Sequence, residues 1–180
     1  VEFIVHPDSE MFVTENGITY NKDKTQIISC DKTVSGDYVM PDTVESIASG
    51  LFEECDNLTS IKISSKVTEI AYATFAGCDN LKSVILPERL EYIGGYAFSE
   101  CTALEGIQLP DSLNTIDYKA FLNSGLKSLT IPGSVTFIGY SSFESTNIEA
   151  LTIEESTTEE GLGIESSAFA YNTSLKTVSL

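Results

Sequence analysis

The chain holds no tryptophan, one histidine, and only 10 Lys and Arg among its 180 residues. Against 27 Asp and Glu, that thin basic complement leaves a formal charge of −17. Nucleic acid needs a basic face to meet its phosphates, and anionic membranes attract basic segments, so neither is an expected partner. The lone histidine, His6, lies in a proline-adjacent turn and offers one possible base, at the margin of the chain, to any Ser-His-Asp or Cys-His arrangement. No Gly-rich phosphate loop follows a strand, and Gly94-Gly95 sits inside a repeated unit. Carboxylate pairs such as Glu53-Glu54 and Glu159-Glu160 are sequence neighbours that read as solvated. The expectation is a chain that is not an enzyme and carries no cofactor. No apolar run approaches the ~20 residues needed to cross a bilayer, so no membrane insertion is expected of this segment. Four cysteines, Cys30, Cys55, Cys78 and Cys101, do not form a secreted disulfide framework. With no close Cys pair in sequence and one His, they also argue against zinc.

A period is what the chain has instead. Phe52, Phe75, Phe98, Phe121, Phe143 and Phe169 follow one another at 23, 23, 23, 22 and 26 residues. Five residues before each stands an isoleucine: Ile47, Ile70, Ile93, Ile116, Ile138 and Ile164. After each Phe comes a Leu-x-x-Ile-x-Ile-like run, such as Leu58, Ile61 and Ile63 or Leu104, Ile107 and Leu109. That run at a period in the low twenties marks a leucine-rich-repeat solenoid. Each repeat reads as three pieces. Pro-x-x-Val-x-x-Ile is an extended outer segment, Tyr-x-Ala-Phe a short helical turn, and Leu-x-x-Ile-x-Ile a strand stacking in parallel on the concave face. Six repeats are expected at about 41–63, 64–86, 87–109, 110–131, 132–153 and 154–180. The sixth carries an insert four residues longer than its equivalent, EESTTEEGLG, read as acidic, flexible and solvent-facing. Residues 1–40 read as a strand remnant, Val1 to Val5, followed by a β-hairpin and meander. The hairpin turns at Asn16-Gly17, a strong tight-turn pair. All 180 residues read as one structural unit, with both ends cut through a longer array.

Three of the cysteines share one register, three residues after the repeat Phe, where later repeats place Ser124, Thr146 and Asn172. This describes a small, mostly buried slot whose thiols are expected to be free. Strand alternation then assigns the surfaces. One outward concave row is Ser60, Ser83, Gly106, Ser128, Ala150 and Thr177; the next is Lys62, Ile85, Gln108, Thr130, Thr152 and Ser179. Such a hydroxyl-lined face could dock a protein or a glycan, or its small residues could simply suit a crowded parallel sheet. Lys82, Glu105, Lys127, Glu149 and Lys176 alternate in sign at one stacked position, which reads as register-setting. A third surface is aromatic. Tyr72, Tyr118 and Tyr140 share one position two residues after the repeat Ile, Tyr96 is one residue along, and Tyr92 and Phe137 precede that Ile. Tyr92, Tyr96, Tyr118, Phe137 and Tyr140 form the first candidate protein-binding strip, flanked by Glu91 and Asp117. The competing reading has these rings lying flat to cover gaps between repeats.

Repeats of the form PDSLNTIDYKAFLNSGLKSLTI and PGSVTFIGYSSFESTNIEALTI resemble the BspA-like leucine-rich repeats of bacterial surface proteins. The resemblance spans Pro41 to Leu180, and the leading hairpin is similar to elements that precede such arrays. It implies secretion or surface display and adhesion to host matrix or receptor proteins, with no shared catalytic residues. A structural spacer that projects another domain is the alternative.

Overall fold

The computed structural model describes residues 9–159 and 161–180; the strand remnant at Val1 to Val5 and His6 lie outside them. Strands are numbered along the chain. The meander forms an antiparallel sheet of β1 (Phe12–Glu15), β2 (Ile18–Asn21) and β3 (Ile27–Cys30). Asn16 and Gly17 link β1 to β2 with φ of 50° and 79°, the two left-handed residues a tight hairpin needs. A Cβ on Gly17 would sit 2.9 Å from Val34, so the turn also packs against the chain that follows.

From Gly36 the chain winds as a parallel solenoid. Its concave face carries β4 (Gly36–Val39), β5 (Leu58–Lys62) and β7 (Ser83–Ile85), then β10 (Ser128–Ile131), β12 (Ala150–Ile153) and β14 (Thr177–Ser179). The expected strand of the third repeat is missing: Gly106 to Leu109 is irregular, so this face is two three-stranded sheets and not one. Glycine has poor strand propensity and supplies no side chain to pack on its neighbours. The extended outer segments form a second sheet of two-residue strands, β6 (Glu69–Ile70), β8 (Tyr92–Ile93), β9 (Thr115–Ile116), β11 (Phe137–Ile138) and β13 (Gly163–Ile164). Each strand places its Ile beside the next, and Ile70, Ile93, Ile116 and Ile138 are fully buried.

No helix forms among the described residues, which corrects the expectation of a helical turn around each Phe. The residues two before and two after every repeat Phe are left-handed. Ala73, Tyr96, Lys119, Ser141 and Ser167 occupy the first position, with Gly50; Glu54, Glu100, Asn123, Ser145 and Tyr171 occupy the second, with Gly77. A left-handed residue every four breaks a right-handed helix and costs about 1–2 kcal/mol where a Cβ is present. What offsets the cost is a ladder of backbone bonds to the next repeat. The N–H groups of Ala73, Phe75 and Gly77 donate to the carbonyls of Gly95, Ala97 and Ser99 at 2.9, 2.8 and 2.9 Å.

Inside the solenoid the Phe rings form a continuous column from Phe52 to Phe169, with centroids 5.1–5.3 Å apart and planes within 6–13° of parallel. Tyr38 closes the column at Phe52, at 5.9 Å, and its hydroxyl bonds that of Tyr20 in the meander at 2.7 Å. Tyr20, Ile18 and Ile27 are buried there, so the meander caps the first turn. The small slot after each Phe does more than fill space. Cys78 and Cys101 donate S–H to the carbonyls of Phe52 and Phe75 at 3.0 and 3.1 Å, and Asn172 donates to that of Phe143 at 2.8 Å. A buried carbonyl that the stack leaves over is thereby satisfied, which selects Cys or Asn over Ala. The Ser124 hydroxyl in the same slot lacks a partner. The described residues of the long insert are largely solvent-facing but not free of the core: Thr157 N donates to Gly133 O at 2.8 Å, and Leu162 packs on the interior.

Candidate functional site

The aromatic surface is built where the outer strands end and the left-handed turns begin. Tyr72, Tyr96 and Tyr118 form a three-ring cluster, with centroid distances of 5.7 Å (Tyr72–Tyr96), 5.4 Å (Tyr96–Tyr118) and 6.4 Å (Tyr72–Tyr118). Its origin is a vacancy in the sequence. Where the second, fourth and fifth repeats have Tyr72, Tyr118 and Tyr140, the third has Gly95, and an added Cβ there would lie 2.6 Å from the Tyr118 ring. The Tyr118 ring lies over that glycine, and Tyr96 stands edge-on between it and Tyr72 at 90° and 66°. Lys119 places its ammonium 5.4 Å from the Tyr96 centroid, a cation–π contact. That neighbour also holds the Lys119 pKa above its usual value, chiefly as a hydrogen-bonding partner of the ammonium.

Asp117 organises the base of the strip. One carboxylate oxygen accepts the Tyr92 hydroxyl at 2.5 Å, and the other accepts the Tyr118 amide at 2.7 Å. Burial, then the Asp117 bond, pushes the Tyr92 phenol well above its ordinary pKa, so this hydroxyl stays a donor. Exposure separates the rings into two groups. Tyr72, Tyr118 and Tyr140 are 49%, 39% and 46% exposed, whereas Tyr92, Tyr96 and Phe137 are half-buried. Phe137 and Tyr92 share a register row but are separated by Thr115, so they do not meet. Neither Phe137 nor Tyr140 makes a ring contact with the cluster, while Tyr72, outside the candidate five, is one of its three rings. The signal that points to Tyr72 is its shared column with Tyr118 and Tyr140.

The concave candidates come together as two rows. Ser60 pairs with Ser83, Ser128 with Ala150, and Ala150 in turn with Thr177; Lys62 pairs with Ile85, Thr130 with Thr152, and Thr152 in turn with Ser179. Gly106 and Gln108 lie between the halves, and Gly106 has open space above it. There the face hollows into a shallow groove of about 480 Å³ lined by Ser83, Gly106, Gln108, Ser128, Thr130 and Thr152. The rows also begin one strand earlier than the sequence pattern indicates, at Asp37 and Val39 of β4. Asp37 therefore adds a second charge to a face on which Lys62 alone is anticipated. It accepts the hydroxyls of Ser60 and Thr59 at 2.7 and 3.0 Å, and these bonds hold its pKa below the usual carboxylate value. Of the alternating charges, Lys127 pairs with Glu105 and Lys176 with Glu149, at 2.5 and 2.6 Å. Lys82 forms no ion pair among the described residues.

Comparison with curated proteins finds no significant match. Among solved structures, the pneumococcal vaccine antigen PcpA is similar at 23% identity and a TM-score of 0.73, over 94% of this chain and 42% of its own. A leucine-rich repeat protein from Bacteroides ovatus is similar at 22% identity and a TM-score of 0.66, over 100% of this chain and 53% of its own. A leucine rich cell surface protein from Faecalibacterium prausnitzii is similar at 25% identity and a TM-score of 0.58, over 84% of this chain and 56% of its own. The chain thus spans about half the length of these neighbours, which share its solenoid. Six copies of one family model, the BspA type leucine rich repeat region, match residues 30–149 and 107–180, and the chain belongs to that family.

Proposed function

We propose that this chain is a non-catalytic protein-binding module of a secreted or surface-displayed bacterial protein, and that the tyrosine strip is its docking face. The observation that carries the reading is the cluster of Tyr72, Tyr96 and Tyr118, mutually packed yet with Tyr72 and Tyr118 at 49% and 39% exposure. Rings already ordered by one another lose little freedom when a partner covers them, and tyrosine anchors commonly dominate interface energy. Exposed Glu69 and Glu91 stand beside the strip in a chain of charge −17, which favours a partner presenting Lys and Arg. A neighbour from F. prausnitzii described as a cell surface protein and the BspA-type family model support display, and a host matrix or receptor protein is the partner proposed for such a displayed face.

The test is binding of the immobilised chain to extracellular-matrix and serum proteins, comparing Tyr118→Ala with Ser128→Arg on the concave face. Tyr118→Ala should weaken binding by about 30-fold, the equivalent of a 2 kcal/mol anchor, while Ser128→Arg leaves it intact. The reverse pattern would move the site to the concave rows, where a glycan is the other candidate. Retention of no protein at all would support the spacer reading.

A further inference from the structure

Cys30 ends β3 of the meander, partly buried, and Cys55 lies buried in the turn of the first repeat. Their Sγ atoms are 3.8 Å apart, across 25 residues of chain. The other two thiols are placed differently. Cys78 and Cys101 are buried with their S–H groups committed to the Phe52 and Phe75 carbonyls. Cys30 is thus the one cysteine with a partly exposed side chain, and Cys55 is its sulfur neighbour. Lys32, two residues on, bonds the Glu53 carbonyl, and its ammonium lies 4.0 Å from the Glu54 carboxylate, beside Cys55. The Cys30 S–H bond first, and Lys32 as the leading charge, draw the Cys55 pKa below its ordinary value against the effect of burial, while the same bond and burial hold the Cys30 thiol protonated at rest. At the other end of β3, Gln26 bridges Ser46 and Glu45 N donates to Thr25 O at 3.1 Å. One end of the capping strand is therefore tied to the first repeat by backbone, and the other ends at a pair of sulfurs.

We propose that Cys30 and Cys55 are a redox pair that closes to a disulfide on exchange with a low-molecular-weight disulfide, fastening the meander to the first repeat. Cys30, the accessible sulfur, hands its proton to the Cys55 sulfur 3.8 Å away and attacks the disulfide RSSR, forming a mixed disulfide and expelling one thiolate RS⁻, which takes that proton up and restores the Cys55 thiolate. The Cys55 thiolate then attacks the Cys30 sulfur of that mixed disulfide and expels the second RS⁻. Both leaving thiolates take up the two protons lost by the cysteines, so two protein thiols are oxidised and one RSSR is reduced to two RSH. The cross-link bridges two units that otherwise separate on unfolding, and it constrains the unfolded chain across those 25 residues.

The experiment treats the reduced chain with oxidised glutathione, alkylates it under denaturing conditions and maps the peptides by mass spectrometry. Alkylatable thiols should fall from four to two, with Cys30 linked to Cys55 and with Cys78 and Cys101 alkylated. The oxidised chain should melt at a higher temperature, with slower amide exchange in β1 to β3. Cys30→Ser, a near-isosteric change at a partly buried position on the edge of the core, should keep three alkylatable thiols after oxidation and lose the shift in melting temperature. Cys55→Ser should trap glutathione on Cys30, because the resolving sulfur is gone. Four alkylated cysteines after oxidation would overturn the proposal, as would a stable glutathione adduct on the unmutated chain or a Cys55–Cys78 linkage.

Discussion

Two aromatic columns climb this solenoid on the same period, one inside it and one outside. The Phe column is continuous through six repeats, its rings nearly parallel, and Phe52 to Phe143 have no exposed surface. The Tyr column is interrupted, and its rings meet edge-on at up to 90°, half in solvent. Parallel offset stacking follows where each ring is gripped by identical backbone on every turn. Edge-on packing arises where one repeat has Gly95 and its neighbours' rings lean across the space. Repetition alone therefore does not say what an aromatic residue is for. The loss of solvent around the Phe column makes it the source of stability, and retained solvent around Tyr72 and Tyr118 leaves them free to dock.

The contrast can be broken most severely at Phe98. Phe98→Ala opens a cavity between Phe75 and Phe121, and urea unfolding should show a loss of about 3–5 kcal/mol. The interior beside the column should also respond to alkali. Burial pushes the Cys78 thiol up to about 12 from an ordinary 9.0. Its neutral form is thus favoured in the folded state, and the associated stability is complete below pH 9.0. As pH rises, the unfolded chain ionises this thiol first, so stability should fall from 9.0 and level off near 12. Cys78→Ala should flatten that part of a stability-against-pH curve.

Effects on the outer column should be smaller in stability and larger in binding. Gly95→Ala pushes the Tyr118 ring off its seat, where it has solvent to move into. Chemical denaturation should register a loss of no more than about 1 kcal/mol, while near-ultraviolet circular dichroism reports the broken ring cluster. Tyr118→Ala should change the melting temperature least of all, by about 1–2 °C. A fall as deep as that of Phe98→Ala would make the strip part of the core.

Much of this fold was legible from local pattern. The Phe and Ile periods, the concave rows and the Asn16-Gly17 hairpin each depend on residues close in sequence, and side-chain alternation carries the rest. The helical turn was misjudged for a physical reason. Left-handed backbone at Ala73, Tyr96 or Lys119 has no glycine to announce it, and only the inter-repeat hydrogen bonds make it affordable. Asp37 and Val39 were missed at the head of the concave rows because β4 lacks the Leu-x-x-Ile signature of later strands.

The amino-acid order by itself determined the solenoid, its period and the inward or outward sense of each strand residue, since these follow from repeated apolar spacing that only stacking can bury. Tertiary structure alone decided which residues meet across repeats. It put Tyr72 beside Tyr96 and Tyr118, hung Cys78 and Cys101 on the carbonyls of the preceding turn, and brought Cys30 within 3.8 Å of Cys55. Those contacts depend on a turn-to-turn rise and on the fold-back of the meander, and a linear pattern encodes neither distance.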